Sequence, residues 1–137
     1  MSEALTVAQL QDRLAKSPFI CFLGLIVTQA DAARQSVTMI APMRPEFERI
    51  GGSGQWHGGP IAAIIDTVGD YALVMSVGHP LPTVNFRVDY LRPAINTDLT
   101  ATAHVRRAGR SVGVVDVDVS DANGTLVAIG RATYSMA

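Results

Sequence analysis

Apolar residues recur along this chain with two periods, and each change of period marks a new element. Near the N-terminus Val7, Leu10 and Leu14 fall on one stripe, which predicts a helix over Thr6 to Ala15. Thr6 is placed to cap it with Gln9 as its capping-box partner, and Pro18 stops it. The apolar run from Pro18 to Val27 reads as a buried β-strand, with strands expected near Phe22 to Thr28 and Gln35 to Ala41. A loop from Pro42 to His57 follows, punctuated by Pro45, Gly51, Gly52 and Gly54. A connection of that length in a small domain is more often functional than idle.

A second helix is predicted from Gly58-Gly59-Pro60 to about Ser76, with proline in the first turn, where its missing N–H costs nothing. Its interior is apolar nearly all round, so it must be buried on most sides. Period two then takes over. Thr83 to Leu91 sets Val84, Phe86, Val88 and Tyr90 against Thr83, Asn85, Arg87 and Asp89. Leu99 to Arg107 alternates likewise, and Val112 to Ser120 sets Val115, Val117 and Val119 against Asp116 and Asp118. Thr125 to Tyr134 is reached through the hairpin signal Asp121-Ala122-Asn123-Gly124. An antiparallel sheet with one buried helix is an α+β architecture.

With 137 residues, 48% hydrophobic and 17% charged, the expectation is one folded domain spanning 1–137, with no repeat, linker or low-complexity tract. A net charge of −1 supplies no global field for nucleic acid or anionic lipid. The single cysteine, Cys21, excludes an internal disulfide framework and a multi-cysteine zinc site. Arg13 and Lys16, the apolar run after them and Ala30-Asp31-Ala32 imitate a secretory signal, but Glu3 and Asp12 dilute the basic region. The run is also too short to span a bilayer as a helix. A soluble, cytoplasmic protein is therefore expected.

Candidate chemistry gathers at Trp56-His57-Gly58-Gly59-Pro60 and at Asp66. The N–H groups that open a helix have no partner within it and can polarise a carbonyl oxygen. Gly58 and Gly59 let a ligand approach that backbone closely, or they simply make the turn into the helix. Asp66 lies seven residues beyond Gly59, nearly two turns, and so faces the same side. A carboxylate among Ile64, Ile65 and Val68 titrates upward or finds hydrogen bonds, and both suit a base or nucleophile. Alternatively, Asp66 and Asp70 mark the solvated edge of the helix. His57 is a candidate catalytic residue, although taken alone it reads as a structural hydrogen-bond donor before a catalyst. His57, His79 and His104 show no metal-ligand spacing, and no nucleophile elbow, phosphate loop or dinucleotide fingerprint is present.

These residues resemble the hotdog-fold acyl-CoA thioesterases of the phenylacetate-pathway and 4-hydroxybenzoyl-CoA type. The likeness is carried by His57-Gly58-Gly59 with Asp66, by Thr83 through Tyr90-Leu91-Arg92-Pro93-Ala94, and by Gly109-Arg110-Ser111 to Asn123-Gly124-Thr125-Leu126-Val127-Ala128. It covers nearly the whole chain. It implies a sheet wrapped around the long helix, and a homodimer, or a dimer of dimers, whose sheets join. The acyl-CoA substrate would lie at the subunit boundary, with Gly58 on the thioester carbonyl and Gly59 shaping the turn. Asp66 of the partner would act as nucleophile or general base, with Thr83 helping to place water. Arg106, Arg107 and Arg110, with Gly109 and Ser111 in the same turn, are candidates for the coenzyme A phosphates, or else solvated strand ends. Trp56 lines an aryl pocket or anchors its loop. No cofactor or metal is implied beyond coenzyme A in the substrate. Many relatives carry an asparagine six residues before the histidine, where this chain has Gly51, and Gln55 or its loop is the candidate replacement.

Two other functions fit the same residues. A non-catalytic acyl-CoA-binding module would keep the pocket and arginines without hydrolysis. A hotdog hydratase or dehydratase would need a His–Glu or Asp–His pair in a different motif, which this chain lacks. The length and chemistry of the acyl group are set by packing around Tyr71, Met75, Phe86 and the Pro42-to-His57 loop.

Overall fold

The computed structural model describes residues 3–137. The first helix, α1, is Val7–Leu14, and its capping box is closed. Thr6 Oγ1 accepts the Gln9 N–H at 3.2 Å, and Gln9 Oε1 accepts the Thr6 N–H at 2.9 Å. The helix buries Leu10 and Leu14, two residues of the predicted stripe.

The apolar run after it departs from expectation. Instead of one buried strand, Pro18–Leu23 forms a short helix, α2, and the strand β1 spans Ile26–Asp31. The cause is local. Ser17 Oγ accepts the Ile20 N–H at 3.3 Å, Pro18 occupies the first turn, and Gly24 ends the helix at φ 68°, in the left-handed region. Phe19 and Phe22 consequently point outward, 58% and 45% exposed. The Arg44 guanidinium covers the Phe22 ring at 4.5 Å, packs at 4.9 Å from Phe47, and donates to the Phe22 carbonyl, which ties α2 to the following loop.

The remaining elements are β2 (Ser36–Ala41), a 3₁₀ turn at Pro45–Phe47, α3 (Gly58–Val77), β3 (Thr83–Tyr90), β4 (Leu99–Ala108), β5 (Val112–Asp121) and β6 (Leu126–Ser135). All six strands form one antiparallel sheet in the order β1-β2-β4-β5-β6-β3. The β4–β5 and β5–β6 hairpins follow their turn signals, whereas β3 crosses over to pair with β6 at the sheet edge.

Helix α3 packs on the inner face of this sheet. Leu99, Ala101 and Ala103 of β4, Val115, Val117 and Val119 of β5, and Ala128, Ala132 and Tyr134 of β6 are all buried, as alternation requires. From the helix come Ile64, Ile65, Val68 and Leu73, each fully buried and each worth about 1.5–3 kcal/mol in transfer free energy. Gly130 marks one close approach: a Cβ there would stand 2.6 Å from Ile65 Cγ2. The edge strand β3 differs. A bulge between Thr83 and Asn85 breaks its alternation, and Phe86, Val88 and Tyr90 then oppose Ala132, Gly130 and Ala128. Val84 and Phe86 remain 58% and 40% exposed.

Candidate functional site

The loop before α3 is held as a rigid collar around the helix start. The Trp56 N–H donates to the Ala94 carbonyl at 2.9 Å, and the His57 N–H to Phe47 at 2.8 Å. Trp56 is only 3% exposed. Its Nε1 donates to the Thr97 carbonyl at 2.8 Å, and its ring stacks on Phe47 at 5.3 Å. The anchoring role left open for Trp56 is therefore realised, although the residue also lines the adjacent cavity.

The two glycines differ. His57 caps α3 by accepting the Gly59 N–H on Nδ1 at 2.8 Å, which places the ring proton on Nε2. The Gly58 N–H has no protein acceptor among the described residues, so it is the free donor at the positive end of a 20-residue helix. On its other side the Tyr90 hydroxyl donates to the Gly58 carbonyl at 2.6 Å. A Cβ on Gly58 would lie 3.1 Å from the Tyr90 ring, so only glycine fits without displacing it. These groups open on a cavity of about 450 Å³ lined also by Arg49, Gln55 and Arg92. Sequence reasoning did not single out Arg49 or Tyr90 for this place. By alternation Tyr90 belongs to the apolar face of its strand, and Arg49 lies in the loop where Gln55 is the candidate.

Asp66 lies on α3 eight residues after Gly58, a rise of about 12 Å along the axis. The Thr83 hydroxyl donates to its Oδ1 at 2.8 Å, and the buried Tyr134 hydroxyl donates to its backbone carbonyl at 2.7 Å. Burial pushes the Tyr134 phenol far above its usual range, reinforced by the charges of Asp66 and Asp70, so it keeps its proton and donates it to the Asp66 carbonyl. Asp66 lines a cavity of about 280 Å³ beneath α2 with Ile20, Ala63 and Asp70. Asp70, for which a solvated helix edge is one of two readings, is half-buried, and desolvation raises its pKa from 3.8 to about 7.

The arginine cluster sits elsewhere. Ala108 of β4 pairs with Gly113, Gly113 with Tyr134, and Tyr134 with Thr83, so the Gly109–Ser111 turn marks the sheet end where β3 begins. Gly58 lies at the other end, beside Tyr90. Arg106 faces the outer surface and contacts Asp116 at 3.5 Å. Asp116 also takes two bonds from Arg131, at 2.6 and 2.9 Å, which hold its carboxyl below the usual range. Arg107 and Arg110 are exposed. Within one protomer the structure thus brings Asp66 to Thr83 and Gly58 to His57 and Gly59, but unites neither group with the other nor with the arginines.

Comparison with known proteins supplies the remaining context. The family model described as thioesterase superfamily matches residues 53–128, from the collar to β6. Human acyl-coenzyme A thioesterase 13 is 34% identical over 110 residues, covering 78% of this chain and 77% of its own. Acyl-coenzyme A thioesterase PaaI of Escherichia coli K12 is 32% identical, covering 80% and 75% respectively. The crystal structure of zebrafish thioesterase superfamily member 2 superposes with a TM-score of 0.86 at 28% identity, covering 98% of this chain and all of that one (100%).

Proposed function

This chain belongs to the thioesterase superfamily, and we propose from that membership and the site geometry that it hydrolyses acyl-CoA thioesters with Gly58 and Asp66 as the reacting pair. The observation that carries this reading is the free Gly58 N–H at the start of α3, opening on a cavity. A preorganised backbone donor at a helix N-terminus stabilises the negative charge that develops on a thioester oxygen. His57 fixes the turn by consuming the Gly59 N–H. Asp66, oriented by Thr83, attacks the carbonyl carbon or takes a proton from water that does so. The thiolate leaves with little acid assistance.

One carbonyl cannot touch both groups of a single protomer across about 12 Å of helix. The site is completed by a second copy, Gly58 from one subunit meeting Asp66 from the other. The exposed apolar side chains of β3, the strand at the open edge of the sheet, are the surface for that pairing. The tail of coenzyme A runs over the protein surface, where Arg107 and Arg110 remain unpaired among the described residues and Arg106 is shared with Asp116. Gln55, whose side-chain amide has no partner among the described residues, stands in the Gly58 cavity as the replacement for the relatives' asparagine.

Complementation tests the arrangement. Asp66→Asn and Gly58→Val are each expected to abolish release of free thiol from an aryl and aliphatic acyl-CoA panel. Denaturing and refolding the two variants together then restores about a quarter of wild-type activity, because half the dimers are mixed and each carries one intact site. Activity in Asp66→Asn alone would overturn the reading. Binding of acyl-CoA without any hydrolysis by the wild type would make the protein a binding module.

A further inference from the structure

Asp70 is a half-buried carboxyl that the hydrolysis described above does not use. It stands one turn beyond Asp66 on α3, so both carboxylates rise from the same face of the helix. Both line the cavity beneath α2, and Asp70 also lines an adjoining cavity of about 490 Å³ that reaches Val74 and Pro80. The chain between α3 and β3 folds back to serve it: the Leu81 N–H, between two prolines, donates to Asp70 Oδ1 at 3.3 Å. Its other oxygen has no hydrogen-bond partner among the described residues.

We propose that Asp70 is a positioning residue for the hydrolysis, a second carboxylate set one turn behind Asp66 that favours transfer of Asp66's negative charge toward the thioester oxygen. The inference rests on Asp66 being the attacking or proton-accepting group. Before reaction, two carboxylates share the wall of one partly apolar cavity and repel each other. In the transition state the charge of Asp66 has moved to the oxygen held by Gly58, and the repulsion falls. An interaction relieved only in the transition state raises the rate.

The surroundings let this charge switch near neutrality. Burial pushes Asp70 up to about 7, the Leu81 N–H draws it back down, and the charge of Asp66 adds to the rise. The other titratable groups facing it are Tyr71 on α3, Arg13 on α1, Lys16 just after α1, and Tyr134 on β6. Arg13 donates to the Gly78 carbonyl at 2.5 Å, and among the described residues no ion pair joins it to Asp70.

The test is the pH dependence of kcat/KM over roughly two units either side of neutrality. The wild type is expected to gain roughly three- to tenfold through a step centred near pH 7. Asp70→Asn, which keeps an acceptor for the Leu81 N–H, removes the step. A step that survives in Asp70→Asn, or a flat wild-type profile, overturns the proposal. Carbon-13 NMR titration of the aspartate carboxyls provides a check that does not depend on that variant folding. The Asp70 midpoint lies near neutrality in the wild type and falls in Asp66→Asn; an unmoved midpoint overturns the coupling. These outcomes are separable from failure of the hydrolytic reading, which shows instead as full activity in Asp66→Asn.

Discussion

Thr83 Oγ1 donates to Asp66 Oδ1 at 2.8 Å, joining the first residue of the edge strand β3 to the middle of α3. The bond fixes one carboxylate oxygen of a residue that lines the same cavity as Asp70. Thr83→Val, which keeps the shape and removes the donor, is expected to lower kcat roughly tenfold with little change in KM, the size of a hydrogen bond to a charged group. Thr83→Ser retains most of the rate. Equal kinetics for Val and Ser would remove Thr83 from the site.

Tyr134 supports the same stretch of helix from beneath. Its hydroxyl bonds to the Asp66 carbonyl, and a Cβ on Gly69 would stand 2.5 Å from that oxygen. Gly69→Ala should therefore destabilise by about 2 kcal/mol, an overpacking cost. Tyr134→Phe should cost about 1 kcal/mol for the lost bond. In the double variant the clash is gone, so the combined loss is expected to be smaller than the sum by denaturant melts; simple additivity would contradict the contact.

The raised Asp70 also links stability to pH. In the folded state it holds its proton up to about pH 7, whereas the unfolded chain releases it near 3.8. The folded form binds more protons in that window, so this contribution is full below 3.8 and is lost as pH rises through 7. Discounted for partial exposure, the loss is on the order of 2 kcal/mol. Thermal melts of Asp70→Asn should lack most of the decline that the wild type shows between these values. Asp116 acts in the opposite sense and at lower pH: held down by Arg131, it adds stability that disappears as pH falls through its lowered pKa.

Phe86, on the edge strand β3, provides the test of assembly. Phe86→Asp places a charge in the apolar face that β3 presents, next to Val84 and Val88. The expected result is a folded monomer by light scattering with activity lost, although Phe86 is not among the residues that carry the chemistry. An active monomer would show that one protomer holds a complete site.

How much of this could be read along the chain depends on the range of the forces involved. Thr6 with Gln9, and Gly58-Gly59-Pro60, act within one or two turns, so the starts of α1 and α3 were legible. The alternating valines of β5 and the Asp121–Gly124 turn were legible for the same reason. The run at Pro18 is ambiguous along the chain because six apolar residues satisfy either a strand or a helix, and Ser17 and Gly24 decide for the helix. The His57–Gly58–Asp66 spacing pointed to the helix start and its carboxylate, but it did not show which glycine N–H is free.

The sequence by itself determined the local elements, the apolar surfaces that must meet, and the residue types able to polarise and attack a carbonyl. Tertiary structure decided what those residues face. The crossover of β3 to β6 set Thr83 against Asp66 and Tyr90 against Gly58, and the return of the chain at Leu81 enclosed Asp70. A carboxyl's charge state and an N–H group's freedom depend on neighbours within a few ångströms. Those neighbours lie 11 to 32 residues away along the chain and meet only when it folds.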